Sequence, residues 1–525
     1  MTKKLDIMKS MNSTCVIFRM SFLLGLFLCT AASGQAQEKP TSATPFVFGA
    51  KHCTGCHDQP AKQTDNCRMV EWMTWNHLDR HRIAFDWFSD AGRASAAGKR
   101  AHAMAGNLGI SNLATARECI GCHAFPVEPG TPTAYYENPL ERAREGVTCV
   151  ACHGGSKQWV VEHVAAADPA WKNLSGQERW LKLGMVDLKN PVTQARSCIS
   201  CHVGDTDESK GRKITHEIYA AGHPPLPGIE VSAFVAEEPR HWLNSSEKKP
   251  GNRPSASSAE LLAVSGLVTL QSQIALFEKS HQSHTAKPDN GPEIAVYDCY
   301  ACHHNLGGQQ SRWRQARSLT GAPGRPRLPH WPRVLVRYSL ITADPANWQA
   351  NEAQLLKLLA SVDKEIAASP YALPSTVEGS AFNDARQFVA AQLKRLEDQW
   401  NKAGTLKSAN EKANLGAFVQ SIINDPNSAS LDYDSARQVA WAIRGSAGYL
   451  SKDQYELIRE ELARLDALAG LSLRAQKHDP TGPPPTVSDQ QAVTDLLAQR
   501  LKLVNQWQPE QFRQVLADLA KKILQ

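Results

Sequence analysis

Ten of the chain's thirteen cysteines fall in five copies of one pentapeptide: CTGCH at 53–57, CIGCH at 119–123, CVACH at 149–153, CISCH at 198–202 and CYACH at 299–303. At this composition one such pentapeptide is expected about 0.01 times by chance, so five copies are a repeated device. Two thiols separated by two residues can each form a thioether to a vinyl group of one haem, and the histidine that follows then falls beneath the iron as proximal ligand. The attachment residues are then Cys53, Cys56, Cys119, Cys122, Cys149, Cys152, Cys198, Cys201, Cys299 and Cys302, and the proximal ligands are His57, His123, His153, His202 and His303. Zinc sites also use paired C-x-x-C, and exported chains use cysteines in disulfides. Neither gives a role to a histidine after every second cysteine, and four-thiolate zinc sites consume the pairs two at a time where five is odd. The expected cofactor content is five haem c.

Thirteen histidines lie outside the motifs, more than five irons could use, so supply alone does not make every iron six-coordinate. In CRMVEWMTWNHLDRHRIAFDWF the apolar and aromatic residues recur at helical spacing, which puts His77 and His81 four apart on one face. One of them is a candidate distal ligand and the other a partner for a haem propionate. His163 follows the third motif by ten residues, within reach of an iron other than its own. THEIYAAGHPPLPG supplies His216 and His223, the latter at a bend stiffened by prolines that would hold an imidazole or simply shape a turn. His304 adjoins His303 and cannot reach the same iron; it is a candidate for a neighbouring one, or a surface or propionate-contacting residue. His52, His102 and His241 are weaker candidates. His281, His284, His330 and His478 sit in polar or proline-rich stretches that suit solvated side chains. Cys67, outside every motif, is open to three readings: a buried thiol, a dimerising thiol or a redox-active one.

The first twenty residues are rich in Lys and Arg and run into SFLLGLFLCTAA and the small-residue exit SGQAQ, the layout of a secretory signal with cleavage after Ala36. The apolar stretch is shorter than the ~20 residues that span a bilayer, which disfavours an uncleaved anchor. Leu28 before Cys29 does not fit lipid attachment. The mature chain is therefore expected in the periplasm or otherwise exported, with no integral membrane span. Losing residues 1–36 removes four basic residues and one acidic one, so the formal charge falls from +6 to +3. Ten propionates would carry it towards about −7, and Lys and Arg are scattered rather than clustered, so nucleic acid is not an expected partner.

The elements that must position these residues are expected to be mainly helical: a haem-packed multihaem cytochrome c domain at 37–335, where the cofactors make up much of the core, and an α-helical domain at 336–525. GAPGRPRLPHWP at 321–332 marks the boundary between them. AELLAVSGLVTLQSQIALFEKS reads as a helix whose Ser, Gln and Glu argue against a membrane span. Beyond residue 335 there is no cysteine, and Leu355, Leu358, Leu359 and Val362 keep helical spacing, as do Ala385, Val389, Leu393, Leu396 and Trp400. Ser451 and Gln454 form a capping box and Gly470 a stop, within a region expected to hold four to six helices.

On these motifs, residues 46–335 resemble multihaem cytochromes of the cytochrome c-554 family, related in haem packing to hydroxylamine oxidoreductase. The matching elements are the first motif with its Trp-rich helix and HRIAF, then CIGCH, GVTCVACHGG with WVVEH, and CISCH. The resemblance implies that His81 (or His77) and His163 are distal ligands and that the iron on His123 lacks a protein ligand on its second face. The chain departs from that family by its fifth motif, DCYACHHNL, and by its long C-terminal extension.

Two functions follow. Bis-histidine ligation fills both axial positions, so an array of this kind can only pass single electrons between a donor and an acceptor. The alternative is an oxidoreductase acting on a small nitrogen or sulfur compound at one haem with an open position. The carrier is favoured over the enzyme because no catalytic constellation is visible in the sequence. Redox proteins are the expected partners, and homo-oligomerisation is left open.

Overall fold

The structure, a computed structural model, describes residues 47–60, 67–89, 92–125, 133–134, 139–155, 157–164, 173–226, 228–242, 256–286, 293–303, 327–368, 381–403, 406, 411–425, 431–448, 450–471, 502–504 and 506–524. The chain is mainly α. Its only described strands are two-residue pieces, Val47–Phe48 paired in parallel with Thr133–Ala134. The readings made of residues 1–36 and of His304 lie outside the described residues.

Four of the five motifs close a helix on their own histidine: Thr54–His57, Arg117–His123, Cys149–His153 and Pro191–His202. The fifth forms a 3₁₀ turn, Cys299–Ala301, with the His303 amide bonded to the Cys299 carbonyl at 2.7 Å. The helical period puts two cysteines three apart on one face, and the histidine four beyond the first cysteine stays on that side. Three of these motif helices are seven residues or shorter, too short to persist in water on propensity. Packing must hold them. The Pro191–His202 helix is the best built, with Pro at its first turn and Asn190 accepting from the amides of Val192 and Thr193.

The centre of the molecule is the helix Ser258–Ala286. Its segment 258–280 is apolar and long enough to cross a membrane, but 83% of that window is buried in protein, so it serves as a core helix. Leu262, Val264, Leu267, Leu270 and Ile274 on it have no exposed surface. They share one continuous apolar core with Val192 and Ile199 of the fourth motif's helix and with the helices beyond residue 335. Gly266 makes that packing possible, because a Cβ there would lie 2.5 Å from the Leu335 carbonyl carbon. The described residues all belong to one compact unit, Glu38–Gln525, and the core runs across residue 335 without a break.

Beyond residue 335 seven helices of at least eight residues are described, more than the four to six expected. In the helix Val336–Ala343 seven of eight residues are buried, Ser339 and Thr342 among them, so it lacks the apolar/polar period that marks a surface helix. The helix Lys452–Ala469 begins with a capping box between Ser451 and Gln454 and ends on left-handed Gly470.

Candidate haem-binding sites

Each motif histidine lies across from one other histidine. Ring centroids are 6.3 Å apart for His57 and His163, 6.4 Å for His123 and His223, 6.5 Å for His153 and His241, 6.4 Å for His202 and His81, and 6.2 Å for His303 and His216. Two imidazoles bound to one metal ion at about 2.0–2.1 Å from each nitrogen have ring centres about 6.3 Å apart. Histidines packed for their own sake have no reason to repeat that separation five times. The ring planes differ between sites: 18° and 27° for the His57 and His303 pairs, but 67°, 69° and 84° for those of His123, His153 and His202.

The local structure explains how partners so distant in sequence meet. His163 ends the helix Lys157–Val164, which follows the third motif, and its Nδ1 donates back to the carbonyls of Val160 (2.7 Å) and Trp159 (3.2 Å). His81 leaves the Glu71–Leu78 helix just past its end, where Asp79 Oδ1 accepts both its backbone N–H (2.8 Å) and its Nδ1–H (3.0 Å). The lead into the third motif packs on that turn: the Val147 amide donates to the His81 carbonyl at 2.9 Å, and Trp75 Nε1 donates to the Val147 carbonyl at 3.0 Å. Gly146, at φ +68°, is required there because a Cβ would lie 2.5 Å from the His81 oxygen. One short helix, His216–Ala221, carries His216 at its start and His223 just beyond its end, and so serves two sites. His223 Nδ1 donates to the Pro224 carbonyl at 2.7 Å and His123 Nδ1 to the Ala84 carbonyl at 2.9 Å.

Hydrogen bonds at Nδ1 leave Nε2 as the metal-facing nitrogen. Burial holds His123 and His153 neutral, with pKa values lowered to about 4, which is the form that binds a metal. His57 is the opposite case. Its Nδ1 lies 3.5 Å from Cys67 Sγ and 3.0 Å from Glu71 Oε2, and hydrogen bonds to these two groups raise its pKa to about 10. For His81, burial opposes the charged form, but Asp79 and Glu238 outweigh it and hold the pKa well above the usual value.

The motifs adjoin one another in a definite order. The thiols of Cys53 and Cys149 lie close enough to act on one another electrostatically, which joins the first motif to the third. Cys152 lies within electrostatic reach of His81 and Cys201, joining the third to the fourth. Cys122 Sγ is 3.9 Å from the Cys201 carbonyl and Cys201 Sγ is 4.0 Å from the Gly121 carbonyl, joining the fourth to the second. Tyr219 lies 6.1 Å from the His223 ring and within electrostatic reach of Cys299, joining the second to the fifth.

At the second motif Cys119, Cys122, His123 and His223 line one cavity, with Phe88, Met104, Leu108 and Ile218 as apolar walls, the donor set and apolar lining that a haem requires. None of the described cysteines forms a disulfide. Trp72 Nε1, His77 Nδ1, Trp87 Nε1 and His102 Nε2 are buried with no hydrogen-bond partner in the structure, although buried polar groups are normally satisfied.

Of the distal candidates read from sequence, His81, His163, His216 and His223 each face a motif histidine. His77 does not: its ring lies edge-on to Trp72 at 6.4 Å, and His81 takes the place across from His202. His304 lies outside the described residues. His241, ranked low in the sequence, is the partner of His153. Its signal was weak because AEEPRHW follows the end of a helix and carries neither helical spacing nor a motif. His330 is not solvated as expected but hydrogen-bonds Ser435 Oγ at 3.0 Å, and burial lowers its pKa to about 4.

Residues 52–154 match the family model described as cytochrome c554 and c-prime. The match covers the first three motifs and supports a c-type cytochrome with covalently bound haem c and a role in electron transport. No curated protein and no solved structure matches the chain.

Proposed function

We propose that the protein is an exported pentahaem electron carrier in which all five irons are bis-histidine ligated. The observation that carries this reading is the set of five histidine pairs at 6.2–6.5 Å, one for each motif. Cys53 with Cys56, Cys119 with Cys122, Cys149 with Cys152, Cys198 with Cys201 and Cys299 with Cys302 would anchor the haems. The axial pairs would be His57/His163, His123/His223, His153/His241, His202/His81 and His303/His216. Bound haem supplies a one-electron Fe(III)/Fe(II) couple at each site. The sites would follow one another in the order first, third, fourth, second, fifth, and a histidine on each side of every metal would leave no position for a small molecule. His223 occupies the position that the family resemblance would leave open at the second motif. His77, His102, Trp72 and Trp87 are the chain's donors for propionate oxygens. The N-terminal signal layout supports export, and a redox protein at each end of the series is the expected partnership.

The test is spectroscopic. The purified mature protein should carry the mass of five haems and show five low-spin irons that do not respond to cyanide, nitrite or hydroxylamine. His241→Ala should convert one of the five to a high-spin, cyanide-binding iron. A high-spin wild-type iron that shifts with nitrite or hydroxylamine would instead favour an oxidoreductase, and colourless protein would end both readings.

A further inference from the structure

Six of the paired histidines have a hydrogen-bond partner at Nδ1, and these partners are of two kinds. At His123, His163, His223 and His241 the ring Nδ1 meets a backbone carbonyl, at 2.9 Å (Ala84), 2.7 Å (Val160), 2.7 Å (Pro224) and 3.4 Å (Pro239). At His57 and His81 it meets a carboxylate. Glu71 Oε2 is 3.0 Å from His57 Nδ1, and Asp79 Oδ1 is 3.0 Å from His81 Nδ1, with Glu238 Oε2 a second carboxylate oxygen at 3.6 Å.

Both anions are held in place by contacts of their own. The other oxygen of Glu71, Oε1, accepts from the Arg68 amide (2.7 Å), the Met69 amide (3.2 Å) and Cys67 Sγ (3.2 Å). Met69 sits at φ 59°, the one positive φ outside glycine among the described residues. Strain of that kind persists where the surroundings impose it, and successive amides turned to one point form an anion-binding concavity. Asp79 is 7% exposed, so its charge is sheltered from water and must be met by the His81 ring and amide. A carbonyl would have oriented either imidazole equally well.

Resting on the bis-histidine reading above, we infer that Glu71 and Asp79 are positioning residues that set reduction potential: the irons on His57 and His81 are held below those of the second and third motifs. A carboxylate accepting the Nδ1–H pushes electron density onto the ligand and adds a negative charge near the metal, and both effects favour ferric over ferrous iron. Along the order in which the motifs adjoin, potentials then alternate between low at the first, higher at the third, low at the fourth and higher at the second. Cys67, the one described cysteine outside the motifs, takes the role of a donor that steadies Glu71.

The experiment is a redox titration of the holoprotein that resolves the individual couples, followed by visible and electron paramagnetic resonance spectra. Glu71→Gln keeps an acceptor and removes the charge; it should raise one couple by at least tenfold in its equilibrium constant, about 59 mV for one electron. Asp79→Asn should raise a different couple by as much, and Glu238→Gln should raise that same second couple by less. Glu71→Asp, which retains the anion, should stay closer to wild type than Glu71→Gln, and Glu178→Gln on the surface should move nothing. The inference is overturned if the Gln and Asn variants, still with five low-spin irons, leave every couple within threefold of wild type, or if both raise the same one. Fewer than five low-spin irons in the wild type would instead overturn the ligation reading itself.

Discussion

The two ends of this chain solve the problem of a core differently. Beyond residue 335 long helices bury Leu, Val, Phe and Trp in one continuous cluster that reaches back through the central helix to the fourth motif. Around the first three motifs the apolar contacts shrink to two small groups, one of Val150, Trp159 and Val160 and one around Phe85, Ala114, Ile120, Ala124 and Ala143. Short helices with so little side-chain packing cannot hold five histidine pairs to a common spacing unaided. On the reading proposed above, cofactors would complete the core in that half, while the other half supplies its own. Phe234 marks the seam: it lies edge-on to His202 at 5.3 Å and to Trp441 at 5.6 Å.

The strongest challenge to this contrast is to remove a cofactor. Cys119→Ala with Cys122→Ala should lower the mass by one haem and abolish amide-exchange protection across the helices Ala96–Asn107 and Arg117–His123, while helices such as Tyr433–Ala447 stay protected. Protection retained in both halves would show that the polypeptide packs the first half without help. Next in size, Leu396→Ala empties a fully buried position in the helix Ala381–Ala403 and should cost about 2–5 kcal/mol in denaturant unfolding, with all reduction potentials unchanged. Movement of a potential would mean the halves are coupled through the seam.

The smallest effect concerns pH. Burial and then the neighbouring Asp434 charge push Asp432 up to about 7, where it caps the helix Tyr433–Ala447. Because the folded carboxyl holds its proton more tightly than the unfolded one, this residue lowers stability as pH rises from about 4 to about 7, by up to ~1.4 kcal/mol per unit, and adds no further slope above. Asp432→Asn, which keeps an acceptor for Ser435, should gain on wild type over that interval in urea titrations at pH 5 and pH 8. A difference that does not change with pH would rule out the titration.

Chemistry confined to a short segment was legible in the sequence, and chemistry assembled across the chain was only partly so. The anchoring cysteines and the motif histidines are contiguous, and the mainly α architecture follows from spacing in helices such as Trp348–Ala368. By spacing alone His77 and His81 would share a helix face, so periodicity cannot separate them; the structure ends that helix at Leu78, and Asp79, which grips His81 there, makes the difference. His241 lies where no period or motif operates, and its place across from His153 comes from tertiary packing alone. The helix Val336–Ala343 carries no such pattern for a related reason, since full burial erases the period by which helices are found.

Each histidine pair joins positions roughly a hundred residues apart, and once bridged by a metal it behaves as a cross-link. A tie across a loop of that length removes about 4–5 kcal/mol of chain entropy from the unfolded ensemble, if the polymer estimate made for disulfides is carried over. Under that ligation assembly would have a timetable: a chain emerging from its N-terminus could not close its first tie until His163 had arrived, and the last would wait for His303.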